Sequence, residues 1–415
     1  MKILQVNSFD FLSTGNIMLN IADIARENGI EMYTASKKKR ISVKSSKNLK
    51  NHYLIGTILE HELNKIFSEV TDLQDYGSIF STYKFIQKVK DINPDIIHIH
   101  DIAGHYLNID MFFKFLKKYD KPVIWTFHCC WAYTGRCIYY DYINCNKWKD
   151  GCFRCEQNRK SFPKHILFDF SRFNYNHKKK LFTSVNNLTI VTPSEWLHKE
   201  VENSFFRDCN IETILNGIDQ SIFFPEENKE LLKKYNISNE KVILGVASIW
   251  SDRKGLKYFI DLSKSITSGY KIVLIGLSKE QISDLPPNII GLEKTFSVEE
   301  LRRWYTVANV FVNPTMEEVF GLVNIEAQAC GTPVITFATG GSVECVSKET
   351  GIVVEKGNTN KLKEAIEFIC TRPKSDYSEK CIRWARKFEQ RSNFLKYIEL
   401  YKKIYGTYMS NESKN

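Results

Sequence analysis

The 415-residue chain has no uninterrupted apolar run of the roughly 18 residues that would predict a membrane-spanning helix. Its opening residues, Met1-Lys2-Ile3-Leu4-Gln5-Val6-Asn7, lack the long apolar stretch of a signal peptide and read as a first strand followed by a loop. The expected compartment is therefore cytoplasmic and reducing. No helix-turn-helix, RNA-recognition or zinc-finger pattern accompanies the basic charge, so nucleic acid is not an expected partner. No short repeat period appears, which excludes a solenoid.

What is present points to two globular α/β domains. The length suits two domains, and an apolar content of 43% is enough for two sizeable cores. Short apolar runs bounded by polar breakers recur along the first half: Lys2–Val6, Ile30–Ala35, Asp95–His100, Pro122–Phe127, Leu188–Thr192 and Glu212–Leu215. Helical periodicity lies between them, as in Ile17, Ile21, Ile24 and Ala25 after Gly15. A second series starts at Val242 and continues through Lys271–Ile275, Asn309–Asn313 and Thr332–Thr336. Near-continuous apolar strands separated by helices predict parallel sheets covered on both faces. The expected organisation is an N-terminal Rossmann-like domain over 1–216, a linker over 217–240, a second Rossmann-like domain over 241–390, and a C-terminal helix and tail over 391–415. Ligands of such doubly wound domains lie at the carboxyl ends of strands, so the loops after strands are the places to search.

The most informative segment runs Glu318-Glu-Val-Phe-Gly-Leu-Val-Asn-Ile-Glu326, followed by Ala-Gln-Ala-Cys-Gly-Thr-Pro-Val-Ile. Leu322 begins a helical stretch, Gly331 stops it and Pro333 forbids its continuation. A helix N-terminus near Gly321 offers free N–H groups and the positive end of a dipole, which suits a diphosphate. Two carboxylates flank this start, and carboxylates accept hydroxyl hydrogen bonds from sugars. Ser248-Ile-Trp-Ser-Asp-Arg-Lys-Gly255 follows the strand ending at Ala247, where Arg253 or Lys254 can neutralise a departing diphosphate. Thr339-Gly-Gly-Ser-Val-Glu344 follows the strand Thr332–Thr336.

Glu318 and Glu326, with seven residues between, resemble the E-x7-E motif of retaining glycosyltransferases of family GT4. The Phe-Gly-Leu and Glu-Ala-x-Ala-x-Gly-x-Pro-Val-Ile surroundings and the Lys254-Gly255 pair fit that family too. The resemblance implies a GT-B fold, with two Rossmann-like domains facing across a cleft. It implies a donor site of Gly15, Arg253, Lys254, Glu318, Phe320, Gly321, Leu322 and Glu326. Within it, Glu318 faces the sugar and Glu326 the ribose. The family usually has an arginine just after the strand, where this chain has Ser248, and Arg253 is the candidate substitute. His128, after Thr126-Phe127, matches a family histidine that reaches the reacting sugar or acceptor hydroxyl, and with Glu318 and Lys254 completes the expected catalytic set. His98 and His100 share one strand face and read either as acceptor-side groups or as packing. No Asp-x-Asp motif closes a strand, so no catalytic metal is expected.

Six of the eleven cysteines lie between Cys129 and Cys155. Cys137-x7-Cys145-x6-Cys152-x2-Cys155, in an insertion over 129–160, predicts a structural zinc site, reduced thiols or a redox pair. The insertion resembles a GT4 subgroup with the pattern His-Asp-Cys-Trp…Gly-Cys-x-x-Cys-Pro, associated with capsule, exopolysaccharide or O-antigen assembly. Cys129 and Glu156 replace the aspartate and proline of that pattern. The partners this implies are a UDP- or GDP-linked sugar and a saccharide or lipid-linked saccharide acceptor. An excess of 58 basic over 48 acidic residues is concentrated partly in Lys37-Lys38-Lys39-Arg40, Lys44, Lys47 and Lys50. That cluster is either a solvated loop or a peripheral contact with the anionic inner face of a membrane. Competing functions are a GT-B nucleotide-sugar epimerase and a zinc-stabilised binding protein without catalysis.

Overall fold

The computed structural model describes residues 1–37, 49–157, 164, 166–226 and 229–413. Lys38, Lys39, Arg40, Lys44 and Lys47 of the basic cluster, and the end of the 129–160 insertion, lie outside them. Two compact units emerge: Met1–Ile214 with Phe394–Asn415, and Leu215–Asn393.

The first unit contains β1 (Lys2–Asn7), α1 (Leu12–Glu27), β2 (Glu31–Lys37), β3 (His52–Ile55), α2 (Ile58–Thr71), α3 (Ile79–Ile92), β4 (Ile96–Ile99) and α4 (Ile109–Tyr119). It continues with β5 (Val123–Thr126), α5 (Ser171–Phe182), β6 (Leu188–Thr192), α6 (Glu195–Glu202) and β7 (Asn210–Thr213). The strands form one sheet in the order β3-β2-β1-β4-β5-β6-β7. Every pairing is parallel. The order reverses between β1 and β4, which makes their carboxyl ends a natural ligand crevice.

The second unit contains α7 (Lys229–Lys234), β8 (Lys241–Val246), α8 (Leu256–Ser265), β9 (Tyr270–Ile275), α9 (Lys279–Ser283), β10 (Ile289–Leu292), α10 (Val298–Val307), β11 (Val310–Asn313) and α11 (Leu322–Ala329). It ends with β12 (Val334–Phe337), β13 (Gly351–Val354), α12 (Thr359–Cys370) and α13 (Ser375–Ala385). Its sheet, also parallel throughout, has the order β10-β9-β8-β11-β12-β13 and reverses between β8 and β11. The chain is thus two doubly wound parallel-sheet domains. A final helix, α14 (Gln390–Glu412), begins in the second unit and returns to the first, where Phe394, Tyr397 and Tyr401 are buried against Ile3, Ile21 and Ile124.

Three expected placements differ from the structure. Gly15, expected at the opening of the first helix, sits inside the first turn of α1, which begins at Leu12. A Cβ there would lie 2.7 Å from the Asp10 carbonyl carbon, so the missing side chain lets the loop after β1 fold down onto the helix. β3 was not foreseen, because His52-Tyr-Leu-Ile follows a strongly polar stretch and presents no clear alternation. Residues 217–240, expected as a linker, fall within the second unit, where Leu231 and Ile237 are buried beside Trp304 and Phe311. Ser297 caps α10, accepting the Glu300 N–H at 3.2 Å. The Glu300 carboxylate, however, turns to the Phe296 N–H instead of completing a capping box.

Candidate functional site

In the second unit, the side-by-side strands β8, β11 and β12 send their following loops to one end of the sheet. The loop after β8 makes a short helical turn over Asp252–Lys254 and is closed by Gly255 at φ 82°. It is fastened to the loop after β11, because the Arg253 carbonyl accepts the Met316 N–H at 2.8 Å. Gly255 lies so close that a Cβ would be 2.1 Å from the Pro314 oxygen. The loop after β12 closes the other side. The Gly341 N–H donates to the Glu318 carbonyl at 3.0 Å, and a Cβ on Gly340 would lie 1.9 Å from that same oxygen.

These backbone contacts bring Lys254 and Glu318 together. The ammonium of Lys254 donates to Glu318 Oε2 at 2.6 Å. Burial pushes the Glu318 carboxyl up, but the charge and hydrogen bond of Lys254, with Arg253 nearby, outweigh it and hold the pKa below the usual carboxylate range. Glu318 is therefore an ionised, acceptor-only group at neutral pH.

Gly321, at φ 96°, is the N-cap of α11, so the free N–H groups of that helix begin beside Glu318. Phe320 points inward and meets Phe388 edge-on at 5.7 Å, and Leu322 packs on the same cluster, so these two hold the turn by their side chains. Glu326 lies on α11, half-buried, and accepts from the Tyr305 hydroxyl at 2.8 Å. Burial raises its pKa to about 7, with the Tyr305 bond opposing.

Beneath the turn lies a buried polar network that sequence reasoning missed. Asn313 donates to Asn324 Oδ1 at 2.9 Å, Asn324 donates to Ser342 Oγ at 2.9 Å, and Ser342 Oγ meets Thr336 Oγ1 at 2.7 Å. It ties β11, α11, β12 and the glycine loop to one another. The only sequence signal was Asn324, a weak helix former inside a short apolar helix.

The first unit has its own polar cluster at the ends of β1, β4 and β5. His98 is locked on both sides, with Nδ1 2.6 Å from the Tyr401 hydroxyl and Nε2 2.8 Å from Thr126 Oγ1. Gln5 donates to the Tyr401 oxygen at 3.1 Å, so that hydroxyl gives its proton to His98 Nδ1, and His98 carries its own proton on Nε2. His98 is therefore structural, and burial lowers its pKa to about 3. His100 packs against His98, with ring centroids 4.1 Å apart and planes tilted by 33°, and places Nδ1 3.1 Å from His128 Nε2. Burial lowers the His128 pKa to about 4, so its imidazole is neutral. Asp101, which accepts from Ser8 Oγ at 3.0 Å, is pushed up to about 6 by burial. Tyr397 and Tyr401 were not singled out because aromatic residues at i and i+4 on a helix read as core.

The four proposed zinc ligands are free thiols close enough that Cys145, Cys152 and Cys155 each raise the Cys137 pKa further, on top of the larger effect of burial. Cys152 Sγ accepts the Gly135 N–H at 3.1 Å, and a Cβ on Gly135 would lie 2.7 Å from Cys152 Cβ. Buried Lys178 lies 3.5 Å above the Trp131 ring, and burial lowers its pKa to about 7, with the charge of Asp75 opposing. The donor chemistry suits zinc. Among the described residues, however, no group of three or more His, Cys, Asp or Glu side chains is placed to hold a metal ion.

Replacing Gly255 with alanine is expected to lower stability by at least about 1–3 kcal/mol, from the strained φ alone. The Pro314 contact adds to that loss. A chemical denaturation midpoint equal to that of the parent chain would contradict this fastening of the two loops.

Two family models match the chain. "Glycosyltransferase Family 4" matches residues 54–221 and "Glycosyl transferases group 1" matches residues 240–372. Among relatives, a capsular polysaccharide biosynthesis glycosyltransferase of Staphylococcus aureus, CapM, is 34% identical over 197 residues, which cover 43% of this chain and 51% of that protein. A GDP-mannose-dependent mannosyltransferase of Corynebacterium glutamicum is 25% identical over 207 residues, 45% of this chain and 54% of that protein. The matched region thus spans about half the length of these relatives. Among solved structures, sucrose-phosphate synthase from Thermosynechococcus elongatus aligns over 98% of this chain and 99% of its own, with a TM-score of 0.72 and 16% identity. Anabaena HepE in complex with UDP-glucose aligns over 99% of this chain and 100% of its own, with a TM-score of 0.64 and 15% identity. With one model matched in each unit and a fold shared with these structures, the chain belongs to the family 4, group 1 glycosyltransferases and has the GT-B type of fold.

Proposed function

We propose that the chain is a retaining glycosyltransferase, moving a sugar from a nucleoside-diphosphate donor to a saccharide or lipid-linked saccharide in the assembly of a surface polysaccharide. The observation that carries the reading is the Lys254–Glu318 pair at the carboxyl ends of β8 and β11, beside the open N-terminus of α11. During transfer, the bond between the anomeric carbon and the β-phosphate oxygen breaks. The diphosphate leaves with the electron pair as positive charge develops on the sugar, the acceptor hydroxyl oxygen bonds to the anomeric carbon, and its proton passes to the departing diphosphate. Lys254, Arg253 and the α11 N-terminus oppose the negative charge that builds on the leaving group. Ionised Glu318 accepts sugar hydroxyls and orients the ring. Glu326 accepts ribose hydroxyls, and neutral His128 contacts the reacting sugar or the acceptor hydroxyl. Support for the donor class comes from HepE, whose structures hold UDP, glucose or UDP-glucose. Support for a polysaccharide product comes from the capsular role in the name of CapM. A lipid-linked acceptor would bring the chain to the inner face of a membrane as a peripheral protein.

The assay is release of nucleoside diphosphate from candidate sugar donors, with and without acceptor. Conversion of donor without acceptor into a stereoisomer would instead indicate an epimerase. The raised pKa of Glu326 makes the reading quantitative. Its carboxylate is fully ionised only above about 7, so its capacity to accept two ribose hydroxyls falls as pH drops through that value. The donor KM is expected to rise between pH 8 and pH 6, and Glu326→Gln should flatten that rise. A wild-type KM independent of pH across this range would contradict the role given to Glu326.

We also propose that Cys137, Cys145, Cys152 and Cys155 draw together on a structural zinc ion that orders the insertion, supported by the four free thiols within one segment and the N–H bond to Cys152. The purified chain is expected to contain about one zinc ion, lost in a Cys152→Ser, Cys155→Ser double variant. A metal-free, folded parent chain would overturn the proposal.

A further inference from the structure

Helix α2 is built inside out. Its buried face carries His61, Asn64 and Ser68, whereas Leu59, Leu63 and Ile66 are 71%, 58% and 56% exposed. Phe67 extends the same outward stripe at the i, i+4, i+7, i+8 spacing of one helical face. The inward polar face fixes this orientation. Asn64 accepts the Gly77 N–H and donates to Ser78 Oγ, both at 3.1 Å, and Ser68 donates to the Leu73 carbonyl at 3.1 Å. Turning the helix over would bury its apolar stripe at the expense of those bonds.

Two neighbouring segments are also apolar on the outside. The Ser81 N–H donates to Glu60 at 3.0 Å, which ties α3 to α2 and leaves Phe80 and Tyr83 exposed beside it. The Ile166 N–H donates to the Glu69 carbonyl at 2.6 Å and the Phe170 N–H to Asp72 at 2.8 Å, so 166–173, with exposed Leu167 and Phe168, adjoins the far end of α2. The fully exposed charge on and beside these segments is more basic than acidic. Lys65, Lys84, Lys164 and Arg172 are exposed, against exposed Glu62 and Asp169, with Glu60 and Glu69 half-buried. The ammonium of Lys84 rides 4.4 Å above the Phe80 ring, its stem covering apolar surface while its charge stays outside.

We propose that α2, the start of α3 and residues 166–173 form one docking surface for an anionic lipid bilayer. A wide apolar patch needs a partner. An apolar helix face with basic residues beside it suits the plane of a lipid interface. A second copy of the chain fits less well, because a two-fold contact would set the same basic rim against itself. No helix among the described residues is long and apolar enough to cross a membrane, so the contact is interfacial. The inference rests on the proposed lipid-linked acceptor only for its purpose, not for its physics.

The experiment is sedimentation of the full chain with vesicles of phosphatidylcholine alone or mixed with phosphatidylglycerol. The parent chain is expected to sediment with the mixed vesicles, less so at high salt. A Leu59→Gln, Leu63→Gln, Ile66→Gln variant is expected to bind them at least tenfold more weakly. Phe80→Gln with Leu167→Gln tests the same surface should the triple variant fail to fold, and circular dichroism checks folding of both. A parent chain that stays in solution, or folded variants that bind as the parent does, would overturn the proposal. A parent dimer that light scattering finds dissolved into monomers by these changes would assign the surface to a second copy and overturn it too. Binding of UDP or GDP, measured without lipid, tests the transfer reading separately.

Discussion

The contact between Lys254 and Glu318 is the interaction on which the candidate site depends. Neither side chain is far from water, so the pair alone contributes little to stability. Its value lies in being held before any ligand arrives. The backbone of Arg253 is fastened to Met316, Gly255 lies against Pro314, and the carbonyl of Glu318 is gripped by the glycine loop after β12. Three loops from adjacent strands thus fix two opposite charges beside the start of α11. A site whose charges are already oriented needs little reorganisation as charge moves during the reaction.

The same principle operates in both units at different cost. In the second, the buried chain of Asn313, Asn324, Ser342 and Thr336 supports the turn from below, with each member bonded to the next. In the first, Gln5, Tyr401 and Thr126 fix His98, and the tilted His98 ring packs against His100. His100 then aligns His128. Its Nε2 is buried without a partner among the described residues. An unpaired acceptor is the less costly orphan, which favours the proton on Nδ1, donated to His128. His128 is then left with its own proton on Nδ1.

What was legible in the sequence was local. Glu318, Gly321 and Glu326 lie within one turn-and-helix segment, so their spacing conveyed the helix start between the two carboxylates, whereas Lys254-Gly255 was joined to them by the family resemblance. The alternation of apolar strands and helices conveyed the two parallel sheets. What was not legible depends on contacts between distant residues. Tyr401 reaches His98 across 303 positions, and no periodic pattern encodes that. The stripe of α2 has ordinary amphipathic spacing, and only the partners of Asn64 and Ser68 show that the apolar side faces outward. Gly15 was legible as the opening of a helix, but not the three residues of helix before it, because only the structure shows that it makes room for the loop after β1.

These features give the account one central claim, that the second unit holds the diphosphate of a nucleotide donor through Lys254 and the start of α11. Calorimetric titration of the parent chain and a Lys254→Ala variant with UDP and with GDP tests it most directly. The account predicts binding of at least one of the two nucleotides to the parent chain, weakened at least tenfold in the variant while the fold is retained. Equal affinities for parent and variant, or no binding of either nucleotide to the parent, would contradict it.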